Sequence, residues 1–186
     1  MTDEFLTLGL QEDRYLKAIQ LIDQFENEIE ATLLEFNQRM VNAQPGLFDP
    51  SVDPDTRLNR TSSSTLAHIR VNHALTGPRA PDSDQTLILN VHLYWMAPTD
   101  YGRTDVEGAL RAFGYKIKSA PEDVDDKVAQ QTRAGDWPIE TSSNPFDSST
   151  VFYNHVDSAE EIEKTAEILV KHFSEFGDSY AIAPGE

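Results

Sequence analysis

Cysteine is absent from all 186 residues. That removes disulfides, thiolate metal sites and cysteine nucleophiles together, so the fold must be held by packing, and it points to the cytoplasm. Long apolar runs are missing too: nothing approaches the roughly 20 residues a membrane-spanning helix needs. The opening "MTDEFLTLGLQEDRY" carries acids where an export signal carries positive charge. These absences predict a soluble chain with no membrane partner, located in the cytoplasm or made there and carried in a virion. Motifs that name a reaction are equally absent: there is no GxxxxGK, GxGxxG, GxSxG, HExxH or EF-hand loop. Nucleotide, zinc-protease and serine-hydrolase chemistry lose their main support, and no cofactor is expected.

Positive charge is the next scarcity. Fifteen basic residues, only six of them lysine, stand against 32 acids, for a formal net charge of −17. Self-repulsion on that scale opposes compaction unless counterions screen it, and at about 1 M salt the Debye length falls to roughly 3 Å. The composition therefore points to a halophilic protein, from an organism that keeps molar salt in its cells or from one of its viruses. Non-specific binding to nucleic acid is not expected, because it requires a positive surface.

What is present begins with "EDRYLKAIQLIDQFENEIEATLLEFNQRMVN", where Ile19, Ile22, Ile29, Leu33, Phe36 and Met40 recur at helical spacing. The pattern predicts a helix from Glu12 to Asn42, about 45 Å long at 1.5 Å per residue. One reading packs it along a sheet. The other lets part of it overhang and pair with another subunit, because Leu16, Leu21, Phe25 and Leu34 lie off the main stripe. Residues 43–64, rich in Pro, Asp and Ser, read as a loop long enough to be functional or to drape over a partner.

Two strands follow, "STLAHIRVNHAL" and "QTLILNVHLYWM", joined by the turn-rich "TGPRAPDSD". Alternation puts Ala67, Ile69, Val71, His73 and Leu75 on one side with Leu87, Leu89, Val91, Leu93 and Trp95. The opposite side carries His68, Arg70, Asn72, Asn90, His92 and Tyr94. Matching polar to polar in a compact hairpin predicts His68 opposite Tyr94, Arg70 opposite His92 and Asn72 opposite Asn90. None of the six is an acid, and residues 56–99 carry a net charge of +2 while the rest of the chain carries −19. An ordinary solvent face of so acidic a protein would hold carboxylates, so this face is expected to be covered: by the chain itself, by another protein, or by a small ligand.

Further along, "TDVEGALRAFG" reads as a helix, with Thr104 and Glu107 as a capping box and Gly114 as its end. A short strand "YKIK", a helix capped by Ser119, the loop "AGDWPIETSSNPFDSS", the strand "TVFYNHV" and a last helix capped by Ser158 and Glu161 complete the chain. The expected architecture is one α+β domain spanning residues 1–186. It has a long N-terminal helix (12–42), a loop (43–64), a core (65–177) and a short tail (178–186), with helices on one face of a hairpin-centred antiparallel sheet of about four strands.

Two functions follow. The preferred one is a non-enzymatic interaction or assembly subunit of a halophilic complex, joining a protein partner or its own copies through the long helix and the polar face. The alternative is a small hydrolase or ligand-binding protein. There Arg70 would hold a carboxylate or phosphate, His92 would act as general base, and Asn72, Asn90 and Tyr94 would orient the substrate. No metal site is expected: His68 and His92 lack a third ligand, and Arg70 would repel the ion. Asp125 to Lys127, an acid-x-Lys echo of metal nucleases, falls in a helix rather than on a strand. His73 reads as a core histidine, and His172 as a cation near a helix C-terminus.

Overall fold

A computed structural model describes residues 13–49, 51–60, 66–81, 84–96, 110–143 and 148–181. It is α+β: α1 (Arg14–Ala43), then strands β1 (Asp55–Arg60), β2 (Leu66–Ala74), β3 (Ile88–Met96) and β4 (Leu110–Lys118), helix α2 (Glu122–Ala134), strands β5 (Glu140–Ser143) and β6 (Thr150–His155), and helix α3 (Ala159–Phe176). The strands form one antiparallel sheet in the order β1-β2-β3-β4-β6-β5.

The sheet has six strands rather than about four. Both additions are short and polar edge strands, which lack the apolar alternation that marks a core strand. β1 lies inside the stretch 43–64 expected to be loop, and β5 lies in the expected loop after α2. Nor are residues 43–49 free to drape over a partner. Leu47 and Phe48 are buried in the core, and Thr76 and Gly77 of the hairpin loop donate backbone hydrogen bonds to the Leu47 carbonyl.

A larger correction concerns residues 104–114. Leu110–Lys118 is a nine-residue strand, and Gly114 is in its middle rather than at a helix end; residues 104–109 lie outside the described set. Gly114 is required by close packing, since a Cβ there would fall 2.3 Å from the Phe152 carbonyl oxygen. Ser119 does not cap α2 either. It takes a left-handed conformation (φ 67°) in the turn after β4, and Pro121 occupies the cap position. Glu122, Asp123 and Asp125 in the first turn complement the helix dipole instead.

The buried side chains of all three helices join one core on a single face of the sheet. Leu33, Phe36 and Met40 of α1, with Leu169 and Phe173 of α3, pack on Val71, Leu89, Val91, Phe113, Tyr115 and Phe152. Phe36 meets Phe113 at 4.9 Å between ring centroids, and Tyr115 meets Phe173 at 5.4 Å. Gln44, just past α1, donates to the Phe173 and Ser174 carbonyls and so closes the C-terminal end of α3. At the other end the Ser158 hydroxyl accepts from the Glu161 amide, while the Glu161 carboxylate accepts from the Asp157 amide. The expected tail begins inside the core: Tyr180 is buried and donates to Asp125, while residues 182–186 lie outside the described set. Asp125 also accepts the Thr150 amide, so the acid-x-Lys echo is a structural tie between α2 and β6.

His172 corrects an expectation as well. It is buried between Tyr115 and Thr132, each 2.7 Å away, and burial lowers its pKa to about 4, so it is neutral rather than a cation at the helix end. The hydroxyl of Thr132 spends its proton on the Val128 carbonyl. His172 Nε2 must then donate to Thr132, leaving Nδ1 to accept from Tyr115, an assignment fixed by hydrogen-bond logic.

Candidate functional site

The hairpin register is the expected one: His68 faces Tyr94, Arg70 faces His92, and Asn72 faces Asn90. All six side chains therefore project from the side of the sheet opposite the helices. They differ in depth. His68, Arg70 and Asn72 on β2 are half-buried, whereas Asn90, His92 and Tyr94 on the central strand β3 are buried.

A polar chain runs along this face. Asn90 donates to Asn72 Oδ1 at 2.6 Å, and His92 Nδ1 lies 3.2 Å from Asn90 Oδ1. An amide oxygen can only accept, so Nδ1 carries the proton and His92 Nε2 is a bare acceptor. Tyr94 stacks on His92 at 4.0 Å and takes His68 edge-on at 5.3 Å. Burial, with Lys116 and Arg70 nearby, holds the His92 pKa well below the ordinary histidine value. His68 falls to about 4, through burial first and then Arg70 and Lys116. Both rings are neutral near pH 7. His68 Nε2, Arg70 Nε and His92 Nε2 are buried without a hydrogen-bond partner.

β1 supplies the acid that the hairpin lacks. Asp55 pairs across from Asn72, and its carboxylate holds Arg57 at 2.6 Å, which offsets the like charge of Arg57 directly opposite Arg70. A cavity of about 230 Å3 opens here, lined by Arg70 and Asn72 with Asp53, Asp55, Arg57 and Lys118, and not by the three β3 residues. Chemically it is a mixed-charge recess that Arg70 lines with its Nε buried and unpartnered. His92 Nε2, the lone pair a general base would use, lies under the surface.

Two features of this face escaped the sequence reading. Lys116 is buried beside Asn90 across the β3–β4 pair, and Tyr94, Leu110, Ala112, Val151 and Tyr153 form a second apolar cluster next to the polar chain. Had LRAFGYKIK been read as one strand, alternation would have put Lys116 on this side. His155 lies on the same side at β6, opposite Ala112 and 3.7 Å from Asp157. His73, by contrast, is a core histidine on the helix side, its Nδ1 3.1 Å from Asn37 Nδ2. Among the described residues no group of three His, Asp or Glu could hold a metal ion.

The chain matches no protein-family model, no curated protein and no solved structure. The site must be judged on its own chemistry.

The second candidate is the N-terminal half of α1. Its apolar stripe is buried from Leu33 onward, yet the same stripe continues outward past the end of the sheet. Phe25 touches the edge of Trp95 at 5.9 Å and marks where the helix leaves the body. Beyond it Tyr15 (64% exposed), Leu16, Ile19, Leu21 (68%) and Ile22 stand in solvent. Twelve residues from Arg14 to Phe25 overhang by about 18 Å. At the base lies a cleft of about 420 Å3, floored by Phe25, Ile29, Trp95 and Ile162 and rimmed by Glu28, Glu35, Asp157 and Glu163. Among the described residues no helix is long and apolar enough to cross a membrane.

Proposed function

We propose that this chain is a non-enzymatic interaction or assembly subunit of a halophilic complex, binding other protein chains through the overhanging half of α1, with the β2–β3 polar face as a second contact. The observation that carries the reading is the exposed row Tyr15, Leu16, Ile19, Ile22 and Phe25 on a helix that has run past its own sheet. Contiguous apolar surface of this kind marks an interaction site. A helical arm this short draws little stability from its own hydrogen bonds and gains it by packing. Apolar contact also suits molar salt, which screens surface ion pairs but leaves apolar burial intact. The test is co-purification in multimolar KCl from the native host with wild type, Ile22→Asp and Arg70→Ala. Loss of bound chain with Ile22→Asp supports the helix, and a further loss with Arg70→Ala adds the polar face. A wild-type chain that is monomeric and retains nothing contradicts the proposal.

A second reading, a small-ligand protein or hydrolase, is favoured by one observation: Arg70, whose buried Nε has no hydrogen-bond partner, lines a cavity together with Asn72 and Lys118. The ligand would be a small carboxylate or phosphate held at Arg70 and Asn72, with Asn90, His92 and Tyr94 supporting from beneath. Calorimetric titration with acetate and with inorganic phosphate should give saturable heat that Arg70→Ala abolishes. No heat with either anion removes this reading.

A further inference from the structure

We infer that the partner of the overhanging helix is a second copy of this chain, paired antiparallel about a two-fold axis at Ile22, each tip lying over the other's basal cleft. The inference rests on the reading of α1 as an interaction site and names the occupant. Its first support is the stripe itself, to which Phe25 belongs rather than lying off it, since it follows Ile22 by three residues and precedes Ile29 by four: Tyr15, Ile19, Ile22, Phe25 and Ile29 are spaced by four, three, three and four residues. That spacing reads the same from either end. Two such helices laid antiparallel bring Tyr15 onto Ile29, Ile19 onto Phe25 and Ile22 onto its own counterpart, in a heptad-like seam. The half-buried Ile29 and the apolar floor beside it are then covered by the partner's Tyr15.

Charge supplies the second support and selects the direction. The basic residues of the overhang, Arg14 and Lys17, outnumber Asp13 at its tip, while Glu26, Glu28 and Glu30 are at its base. Antiparallel pairing about Ile22 sets Arg14 against Glu30 and Lys17 between Glu26 and Glu28, next to a cleft that Glu35 also lines and where Asp157 and Glu163 are already paired with Arg111 and Arg39. A parallel pair would set the cations together and the acids together, which disfavours it. Complementarity of tip and base within one chain calls for a copy of itself.

The chain has no cysteine, so introduced thiols report on the pairing without background. Light scattering at about 1 M KCl, where the Debye length is roughly 3 Å, should give twice the mass of one chain, and Ile22→Asp should return it to one. Under mild oxidation Ile22→Cys should link to its own copy. Tyr15→Cys alone should not, because its two copies would lie about 21 Å apart, beyond the roughly 7 Å reach of a disulfide. Mixing Tyr15→Cys with Ile29→Cys should restore linkage. Linkage of both Ile22→Cys and Tyr15→Cys alone means parallel helices and overturns the inference. A monomer that still retains another chain through Ile22 in co-purification overturns the second copy but spares the interaction reading; a monomer that retains nothing overturns both.

Discussion

Gly114 lies where two strands crowd: any Cβ would meet the Phe152 carbonyl oxygen at 2.3 Å and the Tyr153 Cβ at 2.7 Å. Neither neighbour is the free end of a flexible side chain. Gly114→Ala should therefore cost about 1 to 3 kcal/mol, read as a lower denaturant midpoint with an unchanged slope. An unchanged midpoint would mean that the β4–β6 pair is looser than described. His172 makes a pH prediction at the same scale. Its pKa falls from 6.5 unfolded to about 4 folded, because burial penalises the charged ring. The folded state thus binds fewer protons, so this contribution is complete above pH 6.5 and is lost as pH falls from there through 4. The loss is on the order of 3 kcal/mol. The stability difference between wild type and His172→Gln should shrink over that window. A difference flat from pH 7 to pH 4 would show that His172 titrates normally.

At the scale of elements, α1 is two helices in energetic terms. Phe36 is anchored against Phe113, and Phe36→Ala should cost about 3 to 5 kcal/mol. Leu21, 68% exposed and off the apolar stripe, should tolerate alanine within about 0.5 kcal/mol. Equal costs at the two positions would mean that the overhang is held by the body of the protein. The elements also show what the sequence made legible. The hairpin was readable down to its register, because apolar residues alternate there against His, Arg, Asn and Tyr. The extent of α1 was readable from its stripe, and the capping of α3 from Ser158 and Glu161. β4 was not, for a physical reason: at its centre both faces of the sheet are buried, so Leu110, Ala112, Phe113, Tyr115 and Ile117 erase the period of two. A helix signal from Thr104, Glu107 and Gly114 then filled the gap. β1 and β5, polar and at the edges, carry no core pattern at all. The depth of the candidate site was hidden for the same reason as β4. Six polar side chains on one face were visible, but which lay buried depended on neighbouring strands that had not been recognised.

At the scale of the molecule, charge and apolar exposure set the working conditions together. A net charge of −17 repels within a chain and, doubled, between two of them. Raising KCl from about 0.1 M to 1 M shrinks the Debye length from roughly 10 Å to 3 Å. Melting temperature should therefore rise by several degrees over that range, and association should tighten. A melting temperature that is flat or falls with KCl would remove the halophilic reading while leaving the helix argument in place. Residues 15–25 of α1 are proposed as an interface, and amide hydrogen exchange in molar KCl is the sharpest test of that proposal. Exchange in this segment should slow as protein concentration rises while β4 amides stay unchanged. Exchange in residues 15–25 that is fast at every concentration, and no slower with any chain retained from the host, would contradict it.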